Sequence, residues 1–150
     1  MRVVVQRVSE AAVSIAGREV GRIGRGLVVL VGVQTGDTPA DGHWLAGKLA
    51  GLRIFADEAG KMNLCVREIA GETLVVSQFT LHAATAKGNR PGFTRAAKPE
   101  EAIPLYEAFL TDLEQETGRR PERGLFAADM QVSLVNDGPV TILMDSRARE

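Results

Sequence analysis

The sequence predicts a single α+β domain, residues 1–150, built on a mostly antiparallel, barrel-like sheet with two main helices. Three observations predict it. Runs of β-branched and apolar residues outnumber segments with helical periodicity. The two helical segments do not alternate regularly with the strands, which argues against a doubly wound parallel sheet. The length of 150 residues, with 45% hydrophobic and 25% charged, fits one globular domain that buries roughly 70% of its unfolded surface.

Taken in order, Arg2 to Ser9 and Ala11 to Ile15 are valine-rich and read as strands. Turn glycines from Gly17 to Gly26 bracket Val20 and Ile23, predicting a hairpin. Leu27 to Val33 is continuously apolar, as expected of a central strand buried on both faces. Asp37-Thr38-Pro39 offers a capping side chain and a proline at the first turn. Trp44, Leu45, Leu49 and Leu52 then recur at helical spacing. Gly42, Gly47 and Gly51 weaken that helix, so packing must hold it. Arg53 to Phe55 reads as a short strand, Asp57 to Gly60 as a turn, and Thr73 to Leu81 as the next long strand. His82 to Ala97 is a long polar loop, and a connection of that length is usually functional or mobile. Glu100 to Thr117 carries Ile103, Tyr106, Phe109, Leu110 and Leu113 on one face. Acidic residues open this helix and Gly118 suits its stop. Pro104 leaves its start ambiguous. Gln131 to Val135 and Val140 to Met144 are the closing strands, and residues 145–150 read as a frayed tail.

The composition excludes several classes of function. Val3 to Val5 is too short for the apolar core of a signal peptide, and no apolar run reaches transmembrane length. Cys65 is the only cysteine, so no internal disulfide forms, which fits a reducing, cytoplasmic location. With two histidines and one cysteine, a protein-only zinc site is not expected. Neither a metal nor another cofactor is called for. The net charge is −1, but its distribution is uneven. From Thr73 through Pro99 there is no Asp or Glu, while Lys87, Arg90, Arg95 and Lys98 all lie there. That stretch is either a solvated loop or a phosphate-contacting patch.

Two segments interrupt otherwise good strands. Ser77-Gln78 places adjacent polar groups in the apolar run from Thr73 to Leu81. Gly138-Pro139 places the two strongest strand breakers in the run from Gln131 to Asp145. Such paired departures mark a site rather than a requirement of the fold. Ser77 or Thr80 could be a nucleophile, but that chemistry needs a base and an orienting group. His82, the only imidazole nearby, is expected to be an exposed loop residue. His43 is expected to be structural or exposed. No Gly-x-Ser-x-Gly elbow surrounds Ser77.

Ser77-Gln78-Phe79-Thr80-Leu81 and Asn136-Asp137-Gly138-Pro139-Val140-Thr141 together resemble the paired SQFTL and NxGPVT motifs of the D-aminoacyl-tRNA deacylases. The likeness extends to Gln6-Arg7-Val8, to Arg53-Ile54-Phe55 and Gly60 to Leu64, and to Phe126-Ala127-Ala128-Asp129-Met130. Gly92, where many relatives have serine, and the acid-free Ala83 to Ala86 depart from the family pattern. The resemblance implies a homodimeric esterase acting on aminoacyl-tRNA. It implies a cis Gly138-Pro139 bond whose main chain enters the other protomer's site and rejects L-amino acids, with glycyl-tRNA passing the filter.

The same resemblance implies hydrolysis assisted by the vicinal ribose hydroxyl, with N–H groups near Phe79 and Thr80 as oxyanion donors and Thr80 in a positioning role. Gln78 suits a polar contact to the terminal adenosine or the ester. Phe79 and Met130 are either core or walls against the adenine. Arg7 is expected to hold carbonyls near Gly138-Pro139, and Lys87 and Arg90 to meet RNA phosphates. The alternatives are a catalytically silent RNA-end-binding module and a general small-ester hydrolase using Thr80 or Ser77.

Overall fold

The computed structural model describes residues 1–149. Its spine is β1, Arg2–Ile15, a single 14-residue strand where the sequence reads as two. The chain turns back through β2, Arg18–Ile23, and β3, Gly26–Gly32. One edge of β1 is shared, its first half pairing antiparallel with β3 and its second half with β2. The other edge pairs antiparallel along nearly its whole length with β8, Gln131–Asp145. On the far side of β3 lie β6, Glu72–Ser77, and β7, Glu122–Arg123, both added in parallel. The sheet is therefore mixed, mostly antiparallel and nearly closed into a barrel. A small hairpin of β4, Phe55–Ala56, and β5, Met62–Leu64, stands apart. Arg53 precedes it as coil and bonds across to the Asn63 carbonyl at 2.8 Å.

Two helices cover one face. In α1, Pro39–Ala50, the Asp41 carboxylate accepts from the Thr38 N–H at 2.8 Å, capping the first turn. In α2, Pro99–Thr117, Pro104 lies inside the helix. Only the carbonyl of exposed Glu100 loses its helical donor there, so water can replace it. Leu45 and Leu49 of α1 and Tyr106, Phe109 and Leu113 of α2 pack on Val3, Val5, Leu27, Val29 and Val31. Val28 points the other way, into a second cluster with Val8, Val13, Ile23 and Leu74. The uninterrupted apolar run of β3 is thus accounted for, because both of its faces are buried.

Of the tail expected to fray, residues 145–149 are tied down, and Glu150 lies outside the described residues. Arg2 Nε donates to the Asp145 carboxylate at 2.6 Å. The buried Met1 ammonium donates to Ser146 Oγ at 2.8 Å and lies 2.7 Å from an Asp37 carboxylate oxygen. Arg147 reaches the same carboxylate at 3.0 Å, and the Arg149 guanidinium sits 4.3 Å from the centre of the Trp44 ring. Asp37, rather than merely opening a helix, collects both ends of the chain. Among the described residues no helix is long and apolar enough to cross a membrane.

Candidate active site

The site is built where β6 ends. The strand stops at Ser77, four residues short of the expected Leu81, and the chain folds into a 3₁₀ turn over Phe79–His82. One more ladder bond, from the Gln78 N–H to the Val31 carbonyl at 2.7 Å, holds the turn against β3. His82 explains the change of direction. It is 1% exposed, not a loop residue in water, and its Nε2 lies 3.0 Å from the Gly32 carbonyl. Gly32 makes the approach possible, since a Cβ there would lie 2.9 Å from the Gln78 carbonyl oxygen and 3.1 Å from His82 Cδ2.

Burial holds the His82 pKa below the ordinary histidine value. Its Nδ1 is also buried and, among the described residues, has no partner. Both ring nitrogens are therefore turned inward, and neither serves Ser77 or Thr80 as a base. His43 is exposed, 3.7 Å from Asp112.

Thr80 is exposed, and its hydroxyl accepts from Gln78 Nε2 at 2.5 Å. Among the described residues the N–H groups of Phe79 and Thr80, at the open start of the turn, have no acceptor. Ser77, Gln78 and Phe79 form one wall of a cavity of about 660 Å³. Phe126 to Met130 also line it, as do Ala97, Lys98 and Ala102 around the start of α2. Tyr106 lines it too, donating to the Val75 carbonyl at 3.2 Å and packing with its ring centre 5.9 Å from that of Phe126. Its burial pushes the phenol pKa up to about 12, so it stays a neutral donor.

The Gly138-Pro139 segment is a wide bulge on β8, not a gap between two strands. Gln6 pairs with Thr141 and Val8 with Asn136, so Arg7 alone faces the four residues from Asp137 to Val140. The Asn136 side chain pinches the bulge shut, bonding the Val140 N–H at 2.9 Å and the Val140 carbonyl at 3.0 Å. Arg7 donates to the carbonyls of Asp137 at 2.7 Å and Ile54 at 2.5 Å. Asp137, Gly138 and Pro139 stand exposed, and the Gly138-Pro139 bond is cis.

The sequence and the architecture match known proteins. The family model described as D-Tyr-tRNA(Tyr) deacylase matches residues 4–145. The chain belongs to that family. A D-aminoacyl-tRNA deacylase of Akkermansia muciniphila is 62% identical over 150 residues, covering all of both chains. One from Flavobacterium johnsoniae is 54% identical over the same span. The solved structure of c-Myc DNA Unwinding Element Binding Protein superposes with a TM-score of 0.92 at 41% identity, over 99% of this chain and 100% of its own. A solved probable eukaryotic D-amino acid tRNA deacylase, 18% identical, shares the fold with a TM-score of 0.85 over 96% of this chain and 98% of its own.

Within this member of the deacylase family, the cavity brings together Ser77, Gln78, Phe79 and Met130. Thr80 sits beside it through its bond to Gln78, while Gly138, Pro139 and Arg7 do not line it. Lys87 and Arg90 lie outside it too, on an exposed lobe. Two bonds between Ala84 and Gly92, at 2.7 and 3.0 Å, close the base of that lobe, so the loop is more ordered than its composition implies. Of the cations in the acid-free stretch, Lys98 is the one in the cavity wall, and sequence reading missed Phe93, Ala97 and Ala102 there. The same stretch was the signal that could have found Phe93.

Arg7→Met should cost about 2 kcal/mol, because two charge-assisted bonds disappear and the buried Ile54 carbonyl is left without its donor. Thermal unfolding followed by circular dichroism should show a fall in Tm of roughly 4–8 °C. An unchanged Tm would mean that water replaces the guanidinium without loss.

Proposed function

We propose that the protein is a D-aminoacyl-tRNA deacylase, hydrolysing the ester between a D-amino acid and the tRNA 3′ end and accepting glycyl-tRNA, notably glycyl-tRNA(Ala), as a second substrate class. The observation that carries this reading is the family match over residues 4–145, in a chain whose Ser77 to Phe79 segment walls a cavity. With no imidazole turned toward either hydroxyl, the chemistry rests on main-chain donors and on the substrate. The free Phe79 and Thr80 N–H groups stabilise the developing oxyanion, each worth roughly 3–4 kcal/mol. The vicinal ribose hydroxyl positions or activates the water. The Gln78–Thr80 pair, already bonded, fixes the approach. This route calls for no metal or other cofactor.

Selection falls to the main chain at Gly138 and Pro139. If the ammonium and ester carbonyl of the substrate are both held, D and L side chains leave in different directions. Rigid backbone filling the L direction rejects every L-amino acid whatever its side chain, and glycine has nothing to reject. The bulge is exposed and absent from its own protomer's cavity, so a homodimer in which each bulge enters the other protomer's site completes the filter. The open outer edge of β8, with Val135 and Leu143 exposed on it, supports such an interface. The working place of such an enzyme is the cytoplasm, where tRNA is charged.

Incubating the protein with D-aminoacyl, L-aminoacyl and glycyl-tRNA tests the reading. Release of D-amino acid and glycine with L-aminoacyl-tRNA spared is expected, whereas equal cleavage of all three would point to a general esterase. A second reading, nucleic-acid binding without turnover, is favoured by the name of the relative at 41% identity. Binding with no hydrolysis would establish it.

The exposed lobe accounts for engagement of the RNA backbone. Lys87→Ala with Arg90→Ala is expected to raise KM and leave the preference for D over L intact. For each phosphate left without its cation, the salt slope of binding falls by roughly 0.7 to 0.9. Titration at several salt concentrations measures it, and an unchanged slope would show that RNA binds elsewhere.

A further inference from the structure

Phe79 and Phe93 form an edge-to-face pair in the cavity wall, with centroids 5.0 Å apart and planes at 74°. Both remain open to water, Phe79 56% exposed and Phe93 36%. Two adjacent rings held in water mark a contact surface rather than core. Their surroundings are cationic: Lys98 is in the same wall, Lys87 and Arg90 are exposed on the lobe that ends at Gly92, and no acid occurs from Thr73 to Pro99. One acid, Asp129, shares the cavity wall with Lys98. Aromatic faces beside the exposed cations of the lobe suit a single-stranded nucleotide, whose base stacks while its phosphate meets the charge. The lobe is closed at its base by the Ala84–Gly92 bonds directly before Phe93, which places its cations on the chain segment next to the ring.

We infer that Phe93, backed by Phe79, is a stacking platform for the base of the penultimate nucleotide, holding the tRNA end as it leaves the cavity. This rests on the aminoacyl-tRNA reading above, in which the cavity itself takes the aminoacyl-adenosine. Phe93 is then a positioning residue. It makes no contact with the reacting ester but lowers KM for substrates longer than one nucleotide.

The test compares the D-aminoacyl ester of adenosine with that of the trinucleotide cytidine-cytidine-adenosine, using wild type, Phe93→Leu and Phe93→Trp. Wild type should prefer the trinucleotide through KM. Phe93→Leu keeps apolar bulk but loses the π-face, and should reduce that preference by about tenfold, with the change in KM rather than kcat. Phe93→Trp should keep it. Equal loss on both substrates would overturn the inference, making Phe93 a mere support of the cavity wall. Absence of any length preference in wild type would overturn it without relying on a variant. A change in oligomeric size with the preference retained would overturn it too, showing that a second copy covers the pair. Failure of wild type to cleave either ester would overturn the deacylase reading and this inference together, whereas cleavage of both with no effect of position 93 would overturn this inference alone.

Discussion

Gly138→Ala is expected to lower D-aminoacyl-tRNA hydrolysis by roughly a hundredfold or more while leaving the fold intact. A Cβ on Gly138 would lie 2.3 Å from the Val140 nitrogen and 2.8 Å from Val140 Cγ2, closer than real Cβ atoms come to their neighbours. The main chain must therefore move. It cannot move at its ends, because Asn136 clamps Val140 on one side and Arg7 holds the Asp137 carbonyl on the other. The displacement falls on Gly138 and Pro139 themselves, the atoms proposed to sit against the substrate. A misplacement of about 1 Å near a reacting centre can cost on the order of a hundredfold.

Stability should change little, since residues 137–139 are exposed and contribute no side chain to either core cluster. Measuring kcat/KM on D- and L-aminoacyl-tRNA alongside a thermal melt separates the two effects. Wild-type rates and selectivity in a well-folded variant would remove the bulge from the site.

Much of this could be read from the sequence because it rests on local patterns. The apolar run of β3, the Thr38-Pro39 helix start and the one-sided apolar face of α2 each follow from neighbouring residues. The two breaks in strand pattern, at Ser77-Gln78 and Gly138-Pro139, became the turn at the cavity wall and the bulge on β8. What sequence reading missed depends on partners far along the chain. The early end of β6 follows from a bond between His82 and Gly32, fifty residues apart. The docking of the segment after β8 follows from the Met1 ammonium meeting Ser146. The parallel addition of β6 to β3 needs a crossover through α1, which strand patterns do not encode. The merging of two expected strands into β1, and of two into β8, reflects bulges that let pairing continue past irregular residues.

Thr80→Ala and Ser77→Ala should each leave measurable deacylation, whereas a substrate ending in 2′-deoxyadenosine should react about a hundredfold or more slowly. The contrast follows from what each change removes. Neither substitution touches the Phe79 and Thr80 N–H groups, which belong to the main chain, so the oxyanion donors survive. Thr80→Ala removes only the acceptor of the Gln78 amide, a positioning bond. Removing the 2′-hydroxyl takes away the one group assigned to handle the attacking water, and a positioned proton-transfer group typically contributes about 10²–10⁴-fold.

A nucleophile would behave in the opposite way. Its loss costs on the order of a millionfold, and its acyl-enzyme can be trapped. His82 is the physical reason to expect the first pattern: its Nε2 lies within hydrogen-bond distance of the Gly32 carbonyl and its Nδ1 is sealed in the interior, so its imidazole serves neither hydroxyl as a base. Single-turnover rates for both variants on ribose- and deoxyribose-ended substrates, with mass spectrometry for a covalent adduct, decide between the two. A millionfold loss in either variant, or an adduct on Ser77 or Thr80, would return the chemistry to a side chain.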